Sequence, residues 1–190
     1  MVIIALICAL QSGCMTAGEQ LDRSVVATLQ TGQAQAAVRK MFGAPKRTEI
    51  GPDGKRLDVY QVKFARKLPE PQRALVVRTL SILYNRDGLV ENHVYHIGEL
   101  PVHSTPFGWE GGVALNEALV RGIERERHSR NDVVSAFGAP TIETMEQNGD
   151  SLLVWVFVQG RGGFPVGGNE LLVTFDDRNR VKDFRLRELQ

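Results

Sequence analysis

Met41-Phe42-Gly43-Ala44-Pro45 is echoed further along the chain by Ala136-Phe137-Gly138-Ala139-Pro140, an offset of 95 from Phe42 to Phe137. Carried forward without gaps, that offset pairs Val38 with Val133, Gly54 with Gly149, Leu57 with Leu152, Val59 with Val154, Tyr60 with Trp155 and Val62 with Phe157. Chance does not hold register over such a stretch, so the sequence reads as a tandem duplication. Later the offset falls to 91, where Tyr84-Asn85-Arg86-Asp87-Gly88-Leu89-Val90 aligns with Phe175-Asp176-Asp177-Arg178-Asn179-Arg180-Val181. A connecting loop is shorter by four residues in the second copy.

Each copy reads as a helical segment followed by three strands. In the second, Leu115, Leu119, Gly122 and Ile123 recur at helical spacing, and Ser129 caps a short helix that Gly138 and Pro140 close. The first copy keeps the stop signal but has Ala34 and Ala37 in place of Ser129 and Asp132, so its second helix lacks a side-chain cap. Asp53-Gly54, Asp87-Gly88 and Asn148-Gly149 mark hairpins, with strands expected at Leu57 to Phe64, Leu80 to Tyr84, Leu89 to Tyr95 and Leu152 to Gln159. The expected class is α+β: two tandem copies, each a pair of helices packed on a three-stranded antiparallel sheet. Residues 14–97 form the first repeat and 113–190 the second, with the Pro- and Gly-rich stretch 98–112 as the linker.

The 190 residues are 43% hydrophobic and 24% charged, with a formal net charge of +1, so no overall field draws the chain to nucleic acid. The longest apolar run, Val2 to Leu10, falls short of the roughly 20 residues that a spanning helix needs. Both cysteines, Cys8 and Cys14, lie at the start, and small residues precede Cys14 in Leu10-Gln11-Ser12-Gly13-Cys14. This arrangement resembles the lipobox of bacterial lipoproteins, which implies a signal peptide over residues 1–13 and acyl chains (palmitate or similar) on Cys14. Met15 after the cysteine, by the same resemblance, favours the outer membrane. The competing reading is a buried N-terminal element with two packed thiols.

A helical pair ending in Phe-Gly-x-Pro, an Asx-Gly turn, an aromatic strand and a closing hairpin resembles the SmpA/OmlA family of BamE-like outer-membrane lipoproteins, matched here from about Leu29 to Tyr95 and again from Leu119 to Leu186. The duplicated arrangement also resembles the β-lactamase inhibitor protein fold. The first resemblance implies a non-enzymatic, lipid-anchored module on the periplasmic face of the outer membrane. Such a module binds envelope proteins, including barrel-assembly machinery, in β-barrel assembly or envelope maintenance. The second implies an inhibitor or regulator of an envelope enzyme that uses a concave double sheet.

Candidate binding residues come from alternation. Trp155 and Phe157 share one face of their strand, whereas Leu152, Val154, Val156 and Val158 share the other. The first copy places Tyr60, Val62 and Phe64 opposite Leu57, Val59, Gln61 and Lys63, so the aromatic side is expected toward the helices and the mixed side toward solvent. Val154, Val156 and Val158 then form an apolar strip for a partner, for the other copy or for a homodimer, unless Phe107 and Trp109 fold over it. Trp109, among glycines, is a further anchor for a partner. No catalytic constellation, cofactor motif or metal-ligand spacing is visible. His93 and His96 fall on opposite strand faces, no Gly-x-Ser-x-Gly occurs, and Gly160-Arg161-Gly162-Gly163 lacks the Lys-Ser/Thr of a phosphate loop. Arg121, Arg125, Arg127 and Arg130 mingle with Glu124 and Glu126 as a solvated face.

Overall fold

A computed structural model of the chain describes residues 21–67, 73–162 and 164–189. The signal peptide and Cys14 inferred above lie outside these residues. Strands make up 54% of the structure and helices 16%, in a curled antiparallel sheet of nine strands. This corrects the expected α+β class: the fold is mainly β, and the sheets of the two copies are one sheet.

The helices are short because their own stop signals end them. In the first copy α1 (Arg23–Val26) and α2 (Gln35–Phe42) precede β1 (Arg47–Ile50), β2 (Arg56–Lys67), β3 (Arg73–Tyr84), β4 (Val90–Thr105) and β5 (Gly108–Gly112). The second copy holds α3 (Glu117–Arg121), α4 (Arg130–Phe137), β6 (Ile142–Met145), β7 (Ser151–Arg161), β8 (Phe164–Phe175) and β9 (Val181–Leu189). Phe42 and Phe137 each end a helix, and Gly43 and Gly138 take φ of 77° and 78°, a left-handed region that glycine enters without penalty.

The strand order is β1-β2-β3-β4-β5-β7-β8-β9, with β6 joined to β7. The 98–112 stretch expected as a linker is the end of β4 and the whole of β5. Pro101 is tolerated there because β4 acquires its second paired edge only at Val102, and proline suits such edge positions. β5 then pairs Trp109 to Gly112 with Gly160 to Phe157 of β7, which stitches the copies together.

Pairings in the two halves follow the sequence offsets. Arg47 faces Val59 as Ile142 faces Val154, Val59 faces Ser81 as Val154 faces Leu172, and Ser81 faces Val94 as Leu172 faces Arg185. Both halves shift register at the same place, between Leu83 and Tyr84 and between Thr174 and Phe175. At the turn that follows, Gly88 with φ 73° is matched by Asn179 with φ 57°, asparagine being the residue that best tolerates glycine's role there.

Two cores lie between the outer sheet faces and the helices. One gathers Val26, Leu29, Val38 and Phe42 over Tyr60, Leu80, Ile82 and Tyr84; the other gathers Val120, Ile123, Val133 and Phe137 over Leu153, Trp155, Leu171 and Phe175. Phe42–Tyr60 and Phe137–Trp155 form equivalent tilted ring pairs, with centroids 5.8 and 5.9 Å apart. Leu119, expected in the second core, is exposed, and Val120 takes its place. The inner face is not left to solvent as expected: Leu57, Val59 and Leu83 are buried against Met145 of β6.

The helix caps differ as the sequence implies. Ser129 and Asp132 form a reciprocal capping box on α4, whereas Ala34 gives α2 no side-chain bond. Ala34 has extended backbone (φ −71°, ψ 141°), so Ala34→Ser is expected to stabilise the protein by about 0.5–1 kcal/mol. The gain is read as a raised denaturant midpoint at unchanged slope.

Candidate functional site

Most residues singled out in the sequence meet on the inner face of the sheet. Val154 is buried and lines a cavity between the copies together with Val59, Gln61, Thr79 and Leu172. The Val156 N–H donates to Thr141 Oγ1 at 3.3 Å, and its carbonyl lies against Gly112. Val158 reaches the far end of the sheet. Val154 is therefore covered by the protein's own sheet, Val156 and Val158 stay half-buried, and Phe107 is 88% exposed.

Trp109 is half-buried. It pairs with Gly160 across the β5–β7 junction, its indole lies over that glycine so closely that any Cβ there would overlap the ring, and its Nε1–H donates to the Gly162 carbonyl at 3.0 Å. Trp109 and Val158 join Ala65, Leu75, Leu100, Val102 and Pro165 around an open apolar groove of about 620 Å³. Phe107, two residues before Trp109 on the β4–β5 turn, and Val166, next to Pro165 on β8, are exposed. Sequence reading found Trp109 and Val158; it missed Leu75, Leu100 and Val102, which reach the groove only because β3 and β4 run well past their expected ends.

Away from the groove, the inner faces close on each other. Ser81 and Thr144 share a hydrogen bond across the copies, and Gly98 lies directly beneath the Thr141 carbonyl. His96 Nε2–H donates to the Pro140 carbonyl at 3.2 Å, while Nδ1 stands 3.7 Å from Glu143, whose other oxygen pairs with Arg130 at 2.7 Å. Burial lowers the His96 pKa in spite of the Pro140 bond and the Glu143 charge, so near neutrality the ring is an uncharged structural donor. His93 pairs with Ile82 of the outer face, and Glu99 pairs with Arg66. Among the described residues no three His, Cys, Asp or Glu side chains are placed to hold a metal ion.

The other buried polar cluster lies in the first copy's outer core. Asp58 is fully buried and accepts hydrogen bonds from Thr48 (2.6 Å), Gln35 (3.0 Å), Arg56 (3.1 Å) and Arg39 (3.4 Å). Burial alone would raise its pKa, but the bonds from Thr48, Gln35 and Arg56 more than offset that, and the carboxyl stays below its ordinary value. Burial, with the Asp58 charge, pushes the Tyr60 phenol up to about 12 and raises Tyr84 further. The second copy has Leu153 where the first has Asp58, so the cluster fastens α2 to the sheet in one copy while aliphatic packing does so in the other.

The groove is an open apolar concavity, and the Asp58 cluster fastens α2 to the sheet. Among the described residues no helix is long and apolar enough to cross a membrane. No family model, curated protein or solved structure matches the chain.

Proposed function

We propose that the protein is a lipid-anchored module on the periplasmic face of the outer membrane. It binds envelope proteins without catalysing a reaction, as an accessory to β-barrel assembly or envelope maintenance. The observation that carries this reading is the apolar groove at the β5–β7 junction, where Trp109 and Val158 converge with Leu75, Leu100 and Val102, and Phe107 is exposed two residues from Trp109. Aliphatic and aromatic groups lining one open concavity are the mark of a surface that another protein covers. The resemblance carried by the Phe-Gly-Ala-Pro repeat and the lipobox-like approach to Cys14 support the compartment proposed. The inhibitor reading draws no support, since the middle of the concave face is filled by Met145 and Thr144 of β6.

The test is photo-crosslinking in intact cells from a reactive side chain placed at Phe107, with one at Leu119 on the helical side as control. A crosslink to a barrel-assembly subunit from Phe107, lost in Val158→Asp and absent from Leu119, is the expected result. Equal crosslinking from both positions, or none from Phe107, overturns the reading. Fatty-acid labelling that is lost in Cys14→Ser tests the anchor separately.

A further inference from the structure

The duplication creates two pseudo-equivalent contacts between the copies, and only one of them is made. β6 of the second copy seats on the inner face of the first: Met145 is 1% exposed among Leu57, Val59 and Leu83, and Thr144 bonds Ser81. By the offsets, β1 of the first copy should seat on the second in the same manner. It does not, because Ile50, the counterpart of Met145, is 67% exposed, and Glu49, the counterpart of Thr144, bonds Gln147 at 3.0 Å. The unmade contact leaves adjoining cavities of about 220 and 270 Å³ that share Arg47, Leu152, Leu172 and Arg187.

The larger cavity has a divided chemistry. Val59, Leu152, Val154 and Leu172 give it aliphatic walls, and Lys46, Arg47 and Arg187 face it with three positive charges against the single negative charge of Glu170. Arg187 holds Glu170 only at 3.5 Å, Arg47 is paired with Glu49, and Lys46 forms no ion pair among the described residues. Thr79, 1% exposed, lines the same cavity with a hydroxyl that has no hydrogen-bond partner among the described residues. Buried hydroxyls are normally satisfied, so this one points to an occupant that accepts a hydrogen bond.

We propose that this space binds an amphiphilic monoanion, a medium-chain fatty carboxylate, with its head group held by the cationic side chains and the Thr79 hydroxyl and its chain between Val59, Leu152, Val154 and Leu172. At about 30 Å³ for each water-sized group the cavity of about 270 Å³ takes roughly nine heavy atoms, and the adjoining one of about 220 Å³ has room for the rest of a ten-carbon carboxylate. The site is separate from the groove at Trp109 and does not depend on the partner-binding reading.

Calorimetric titration of the folded protein with decanoate, decanol and acetate tests it. Decanoate is expected to bind one to one and at least about tenfold more tightly than either control, since only it supplies both the charge and the chain. The double variant Lys46→Ala/Arg187→Ala should weaken it by about tenfold, and Val154→Phe, which fills the slot, should abolish it. Both variants are compared with the parent by thermal unfolding, and Thr79→Val, isosteric and lacking the hydroxyl, gives a second reading that spares the charges. Val158→Asp, in the groove, should leave binding unchanged. No heat with decanoate, which leaves water as the occupant, overturns the proposal. So does equal affinity for decanol, or binding lost in Val158→Asp but retained in the double variant.

Discussion

Gly98→Ala is expected to cost about 3 kcal/mol, an unusually large penalty for adding one methyl group, because that methyl has nowhere to go. A Cβ at this position falls well inside contact distance of the Thr141 carbonyl oxygen and carbon and presses on His96 Nε2. The obstacle is backbone, so it cannot swing aside as a flexible side chain would. Moving Thr141 strains its own N–H bond to the Val154 carbonyl (2.8 Å) and the neighbouring His96–Pro140 bond, so the whole contact between β6 and the first copy is disturbed. Gly167→Ala is the matched control, since its nearest neighbour would be the Leu189 carbonyl at an ordinary 3.8 Å. Denaturant unfolding should show a lowered midpoint for the first and little change for the second. If the two variants unfold together, the close seating of the copies is wrong.

Asp58→Ala is expected to destabilise by a similar amount, about 3 kcal/mol. Removing a buried carboxylate strips four donors of their acceptor, and the loss is limited because the Arg39 and Arg56 side chains are partly exposed and can turn to water. The pH dependence has a definite sign. A carboxyl whose pKa is lower in the folded than in the unfolded chain contributes stability that is fully present above the unfolded value, and the contribution is lost as pH falls through the folded one. The parent should therefore lose stability below about pH 4, and Asp58→Ala should show a smaller loss over the same range. Parallel curves for the two proteins would remove Asp58 from the acid response. Asp58→Leu, which borrows the second copy's Leu153, should recover part of the deficit if aliphatic packing can replace the cluster.

These two sites show what a linear reading reaches and where it stops. The repeat of Phe-Gly-Ala-Pro carried the duplication because glycine after a helix and aromatics facing it are local requirements, written within a few residues of each other. The same holds for the turn glycines and for the absent cap at Ala34. Leu57 and Val59 were read as facing solvent because their strand alternates with Gln61 and Lys63. What buries them is Met145, supplied by the other copy, and no local pattern announces it. Asp58 likewise shows no hydrophobic signal; its place is fixed by donors from α2, β1 and β2 at once. The stretch from Gly98 to Gly112 was read as a linker because Pro and Gly usually interrupt strands. Here Gly98, Gly111 and Gly112 lie where another backbone or side chain presses close, and their lack of a side chain is what lets the strands run on. Of the groove, the residues that look unusual in sequence, Trp109 and a valine beyond the expected core, could be picked out, while the plain aliphatic walls could not.

The β5–β7 junction also bears on how quickly the chain can find its fold. Nearly every other strand pair joins neighbours in sequence through a short connection, so those ladders form by local closure. The junction alone must bring Gly112 against Phe157, with both helices of the second copy and β6 intervening. Its loop is entropically the costliest to close and gains its reward only once β7 is itself in place. Folding is thereby divided into two quick hairpin assemblies and one slow act of joining, and the rate of the whole is set at the strand shared by both copies.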